Sequence, residues 1–107
     1  GVDFSMTALA KAVASTRGIF VHSDARSTPF PNAQFDGVML SGLLPYFDDW
    51  EPLLKEARRI GKPNTPIFFT LLHGWQGQDW TSRTVIEKRV GPLKEYVEVG
   101  NWRVCVL

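Results

Sequence analysis

A single cysteine, Cys105, excludes an internal disulfide from this 107-residue chain. With only His22 and His73 beside it, a structural zinc site lacks its usual ligand set. No apolar run approaches membrane-spanning length and no signal peptide is visible, so a cytoplasmic setting is the expectation. A net charge of +1 gives no electrostatic case for nucleic acid or for an anionic membrane. Repeats, charge runs and low-complexity segments are all missing. The nine glycines include no G-x-G pair and no G-x-x-x-x-G-K-[ST] phosphate loop. The chain does not begin with methionine, which suggests that Gly1 is a cloning remnant, a processing site or the start of a fragment. What is present is ordinary for a soluble globular domain: 44% hydrophobic and 21% charged residues. One domain spanning 1–107 is expected, with a real but modest core.

The pattern alternates between strand and helix. "GVDFS" reads as the last residues of a buried strand with an acid at its tip. Ser5 caps a helix carrying Met6, Leu9, Ala10 and Val13 at helical spacing, and Gly18 ends it. "IFVH", 19–22, is a short apolar run expected to be a strand covered on both faces. "SDARSTPFPNAQ" is a loop in which Phe30 anchors to the core. "FDGVMLS", 35–41, is a further strand, and Asp36 before it reads as a turn acid. A helix follows from Asp48 or Asp49, with Trp50, Leu53, Leu54, Ala57 and Ile60 on one face, stopped by Gly61 and Pro63. "PIFFTLL", 66–72, is another buried strand. A weaker helix is expected over 79–90, broken by Gly91-Pro92. Two alternating strands around Gly100-Asn101 close the chain as a hairpin, with Val97, Val99, Val104 and Val106 expected to be buried. This order predicts an α/β domain with a mostly parallel sheet and a terminal antiparallel hairpin.

Asp3 has two readings. An acid at a strand tip in a doubly wound sheet accepts from nucleotide ribose hydroxyls, and an Asp before a helix caps it. Taken in order, "GVDFSMTALAKA" and then "SDARSTPFPNAQFDGVMLSGLLPYFDDWEPLLKEARRIGKPNTPIFFTLL" resemble the class I S-adenosylmethionine-dependent methyltransferases, in particular the small-molecule type. The likeness runs over residues 1 to about 72 and rests on the ordered series rather than on any one piece. It implies a Rossmann-like sheet and S-adenosylmethionine as cofactor. It also implies roles residue by residue. Asp3 would hold the ribose hydroxyls and Phe4 would pack on adenine. Asp24 would accept from the adenine amino group while the Ala25 N–H donates to the ring. Ser41 and Gly42 would line the cleft near the methyl donor. Against these stand plainer readings, with Asp24 a turn acid and Phe4 plain core.

The departures from the family pattern are as informative. The glycine-rich turn that precedes the ribose acid by about 20 residues would fall ahead of Gly1. The expected fold therefore lacks the first strand and helix, and "KPNTP" stands where the family has K-P-G-G. In the family's sheet the absent strand lies between the second and the fourth. Its loss would leave the apolar edge of "FDGVMLS" open unless "IFVH" closes the gap, and a homodimer or a complex with a separate N-terminal fragment is expected to cover it. Methyl transfer to an unidentified acceptor is the activity implied, with weak or no cofactor binding by this stretch alone. A non-catalytic module acting as a subunit or interaction partner is the alternative. His73 is a weak candidate for a general base, or a solvated loop residue. Trp75 and Trp80 could stack on a flat acceptor or form ordinary rim packing, and Cys105 reads as structural.

Overall fold

The computed structural model describes residues 1–74 and 82–107. The expected Trp75 and Trp80 contacts and the start of the helix placed at 79–90 lie outside the described residues. Among the described residues six strands and three α-helices follow one another. They are β1 (Val2–Asp3), α1 (Met6–Ser15), β2 (Val21–His22), β3 (Val38–Ser41), α2 (Glu51–Ile60), β4 (Ile67–Leu72), α3 (Arg83–Val90), β5 (Glu95–Val99) and β6 (Trp102–Val106). A 3-10 turn at Leu44–Tyr46 links β3 to α2.

Strand pairing divides the described strands into two sheets. β1 pairs only with β2, in parallel, with Val2 opposite Val21 and Asp3 opposite His22. β3, β4, β6 and β5 form a four-stranded sheet in that spatial order. β3 and β4 are parallel, with Val38 opposite Ile67, and β6 joins β4 antiparallel, with Phe69 opposite Cys105. The segment "IFVH" does not close the gap beside β3, because Val21–His22 is already paired to β1. The fold is the expected Rossmann-like α/β arrangement with a terminal hairpin, and among the described residues no backbone hydrogen bond joins its two sheets through β1 and β3.

The core lies on one face of the larger sheet. Leu40, Ile67, Phe69, Leu71 and Cys105 alternate inward along their strands and meet Leu53, Leu54 and Ala57 of α2 and Ile86 and Val90 of α3. Full burial of such side chains stabilises by about 1.5–3 kcal/mol each. Arg89 of α3 stacks on the Trp50 ring at 3.7 Å and donates to the Asp48 carbonyl, tying α3 to the start of α2.

Local signals explain most element ends. Ser5 caps α1 by accepting from the Ala8 N–H at 3.1 Å, and Ser82 caps α3 by accepting from Val85. α2 begins at Glu51 rather than at Asp48 or Asp49, with Asp49 Oδ1 accepting from the Glu51 N–H. Asn64 takes φ +64° in the loop after α2, so asparagine meets there the left-handed requirement that glycine usually serves.

The far face departs from expectation. Met39, Val97, Val99 and Trp102 are exposed, and Val104 and Val106 are only half-buried, because no described element covers this side of the sheet. The hairpin's buried positions are instead Arg103 and Cys105. Nor is β2 covered on both faces: Ile19 is exposed and Val21 half-buried. On α1 the helical stripe turns with Leu9 inward, while Met6 and Val13 face solvent.

Candidate functional site

The carboxyl ends of β1, β2 and β3 come together at one rim. β1 and β2 are parallel, as are β3 and β4, and the loops that leave β2 and β3 touch. The Arg26 guanidinium, four residues past β2, lies 4.9 Å from the Phe47 ring, which follows β3 and its 3-10 turn. Ala25 and Leu43, from the same two loops, line one open cleft of about 220 Å³ together with Val2, Met39 and Leu40. All four parallel strands therefore end on the same side, where open α/β sheets bind ligands.

Asp3 occupies the tip of β1. Its Oδ1 accepts from the Ser5 N–H at 2.8 Å, which braces the residue that caps α1. The second carboxylate oxygen has no partner among the described residues and is exposed to solvent. Asp3 thus supports the helix start with one oxygen and keeps the other available. Phe4 next to it is 75% exposed, with its ring 5.7 Å from that of His22. His22 Nε2 donates to the Phe4 carbonyl at 2.8 Å, since a carbonyl can only accept. That bond clips the tip of β2 to the tip of β1. Sequence reasoning set His22 aside, and only its position opposite Asp3 in the ladder reveals the clip.

Asp24 is held differently. Both of its carboxylate oxygens accept from the Arg26 side chain, Oδ2 from Nη2 at 2.7 Å, and Oδ1 also accepts from the Arg26 N–H. The side-chain bonds from Arg26 hold the Asp24 carboxyl down at about 2. Arg26 is the rim residue that sequence reasoning missed. Ala25, between the two, is half-buried and lines the cleft.

Ser41 ends β3 and is exposed. Gly42 turns the chain away at φ +59°, and its N–H donates to Thr70 Oγ1 of β4 at 2.9 Å. A side chain there would meet open space, so the left-handed backbone and not crowding calls for glycine. His73 lies just beyond β4, half-buried, and its N–H donates to the Asn101 carbonyl in the hairpin turn. It shares the rim with Ser41 through the parallel β3–β4 ladder, in which Ser41 stands opposite Thr70.

Below the rim, Glu56 joins the loop after β2 to α2. Its Oε2 accepts from both the N–H and the hydroxyl of Thr28 at 2.6 Å, and Oε1 accepts from Arg59 Nε at 2.6 Å. The Arg59 bond, aided by Thr28, holds the Glu56 carboxyl at about 2 despite its burial. Asp36 makes an exposed ion pair with Lys62, and Phe30 packs edge-on against Phe35. Cys105 is fully buried, and burial pushes its thiol up to about 11.

Comparison with known proteins points the same way. A family model described as a methyltransferase domain matches residues 1–69. The demethylmenaquinone methyltransferase of Thermus thermophilus is 37% identical over 68 residues, 59% of this chain. The chain spans about a third of that relative's length, 31%. Among solved structures, a chain of the complex described as that between the Haloferax volcanii Trm112 methyltransferase activator and the putative methyltransferase superposes with a TM-score of 0.80 at 18% identity. It covers 99% of this chain, and the chain covers 68% of it. The PH0226 protein of Pyrococcus horikoshii gives a TM-score of 0.77 at 19% identity, with the same coverage of 99% and 68%. At these identities the structures speak for the fold alone.

Proposed function

The chain belongs to the methyltransferase-domain family, and from that premise we propose that it supplies the ribose- and adenine-facing side of an S-adenosylmethionine site. The observation that carries this reading is Asp3: an acid at the tip of a parallel strand, on the rim shared by β1, β2 and β3, with one carboxylate oxygen turned to solvent.

The residues present fit that part of the cofactor. Oδ2 of Asp3 accepts from the ribose hydroxyls, and the exposed Phe4 ring offers an apolar surface to adenine. Ala25 contributes its N–H from the cleft wall. Asp24 accepts from the adenine amino group once Arg26 gives up one of its bonds, so Arg26 acts as a competing internal ligand. Ser41 and Gly42, at the end of β3, would face the methyl-donor end of the cofactor. S-adenosylmethionine, when bound, supplies a sulfonium methyl that leaves by in-line displacement to an acceptor nucleophile. The chain's own contribution is positioning, worth up to ~7–11 kcal/mol where donor and acceptor are both fixed. His73, on the same rim, is the candidate to take the acceptor's proton. A second reading is a non-catalytic module working as a subunit. In either case the open edge of β3 calls for a partner, a second copy or a separate N-terminal fragment.

Titration calorimetry with S-adenosylmethionine and with its demethylated product tests the reading. Weak binding is expected, because each ~1.4 kcal/mol of missing contact costs tenfold in affinity. Asp3→Ala and Asp24→Ala each reduce it, His73→Ala does not, and Arg26→Ala strengthens it by freeing Asp24. A low-micromolar dissociation constant for these 107 residues would overturn the claim that they hold only part of the site.

A further inference from the structure

The loop after β2 saturates one of its own carboxylates. Asp24 Oδ1 accepts from the Arg26 N–H at 2.9 Å and from Arg26 Nε at 3.1 Å. Oδ2 accepts from Nη2 at 2.7 Å and from Nε at 3.2 Å. A carboxylate offers about four lone-pair sites, so these bonds leave Asp24 no unshared acceptor for a ligand. The planar fork of arginine matches that geometry, which a lysine ammonium does not. Nη1 of the same guanidinium meets no acceptor among the described residues.

The pair is built into the rim. The Ser27 N–H donates to the Asp24 carbonyl and the Ser23 hydroxyl to the Ser27 carbonyl, closing the turn that sets residues 24 and 26 side by side. The guanidinium lies over the Phe47 ring at 4.9 Å, and Phe47 packs on the main core, as does Ala25. Both partners still reach solvent, with the Arg26 side chain 48% exposed and that of Asp24 36%. An exposed pair of this kind contributes little, so a ligand can exchange one of its bonds.

We propose that Arg26 sets the base selectivity of the rim. While it grips Asp24, the site reads ribose and ring but scarcely the 6-amino group of adenine. A strict preference for that group appears only when the grip is removed. This inference rests on the reading of the rim as an adenosine site, and it names the residue that controls one part of it. The reason is competition for one acceptor. The amino group is a neutral donor, whereas Arg26 is a charged, bidentate donor already in place. A free carboxylate would add a charged hydrogen bond to adenine and nothing to a base that lacks the amino group.

Titrations followed by amide chemical shift on the isotopically labelled chain test it, because they read weak binding. The probes are adenosine and purine riboside, which lacks only the 6-amino group. For the parent, the two dissociation constants should agree within ~3-fold, as expected when a weak exposed pair must be exchanged. In Arg26→Ala, adenosine should bind ~10-fold or more tighter than purine riboside, the effect of one charged hydrogen bond. Asp24→Ala should bind both alike, whether Arg26 is present or also replaced by alanine. A preference of ~10-fold already present in the parent would overturn the role of Arg26, and so would a ratio that Arg26→Ala leaves unchanged. Those outcomes leave the adenosine reading intact as long as the Asp3 and Phe4 amides shift. Should neither nucleoside shift them, in parent or variant, the adenosine reading itself falls and takes this inference with it.

Discussion

The β1–α1–β2 limb and the four-stranded sheet with α2 and α3 are built from the same alternation of strand and helix, but they are held unequally. Every residue of the main buried cluster lies between Leu40 and Cys105, and the limb adds only Leu9. The limb nevertheless carries Asp3 and Phe4, and its following loop carries Asp24 and Ala25, so most of the proposed cofactor contacts stand on the less buried part. Apart from the α1 cap and its two-residue ladder, the limb is tied down by the polar junction of Thr28 with Glu56 and by Arg26 on Phe47. Burial and binding residues are therefore separated along the chain. Stability measured as one number will report the sheet and say little of the rim.

The sharpest break of that comparison is Phe69→Ala. Phe69 is fully buried at the centre of the sheet, and the substitution should cost about 3–5 kcal/mol, read as a large fall in the thermal midpoint. Next is the junction itself. Glu56→Ala removes the acceptor of the Thr28 N–H and of Arg59 Nε, while Arg59 keeps its bonds to Asn32 and the Thr28 carbonyl, and should cost about 2–3 kcal/mol. Because the folded Glu56 carboxyl is held at about 2, below its ordinary 4.5, its contribution is complete above about pH 5. It is lost as pH falls through about 2. An acid unfolding curve for Glu56→Gln should accordingly be flatter over that range than the parent's, and equal slopes would remove Glu56 as the acid-sensitive link.

Leu9→Ala should cost about 2 kcal/mol, the low end for a buried leucine, and the loss should fall on the limb. Exchange at Val21 should quicken while Phe69 keeps its protection. Equal acceleration at both would mean that the two regions unfold as one. Val104→Ala, on the half-covered face, should cost about 1 kcal/mol. Smallest is Glu98→Gln. Arg103 lies opposite Glu98 with Nε 3.7 Å from Oε1, and Glu98 is half exposed, so its removal should shift stability by about 0.5 kcal/mol or less. A thermal shift matching that of Val104→Ala would place the hairpin's stability in its charges.

Much of the fold was legible because local chemistry and burial agree. Ser5, Gly61, Gly91 and the Gly100-Asn101 pair mark real ends and turns, and "PIFFTLL" is a buried strand as its composition demands. Expectation failed where burial depends on a neighbour that the described chain does not supply. Val97 and Val99 have the alternation of a buried hairpin, and Ile19 the look of a covered strand, yet all three face solvent. The rim was only half readable. Strand tips follow from pattern, which located Asp3 and Ser41. The grip of Arg26 on Asp24 is set by side-chain geometry two residues apart, and the His22 clip by a ladder joining residues 18 apart. Asn64 shows a third limit. The position requires a left-handed backbone, and a search for glycine passes over an asparagine that meets it.

Cys105 gives the sheet a chronometer. The thiol has no exposure to solvent, and burial holds it at about 11, so at neutral pH it is almost wholly unionised. Disulfide reagents and oxidants need an accessible thiolate, and they meet one only in molecules whose sheet has come apart. The labelling rate of this one sulfur therefore counts openings of the core while ignoring every movement of the rim. A cross-linked dimer found in an aged sample would be a record of chains that had once opened, and not a view of how folded molecules associate.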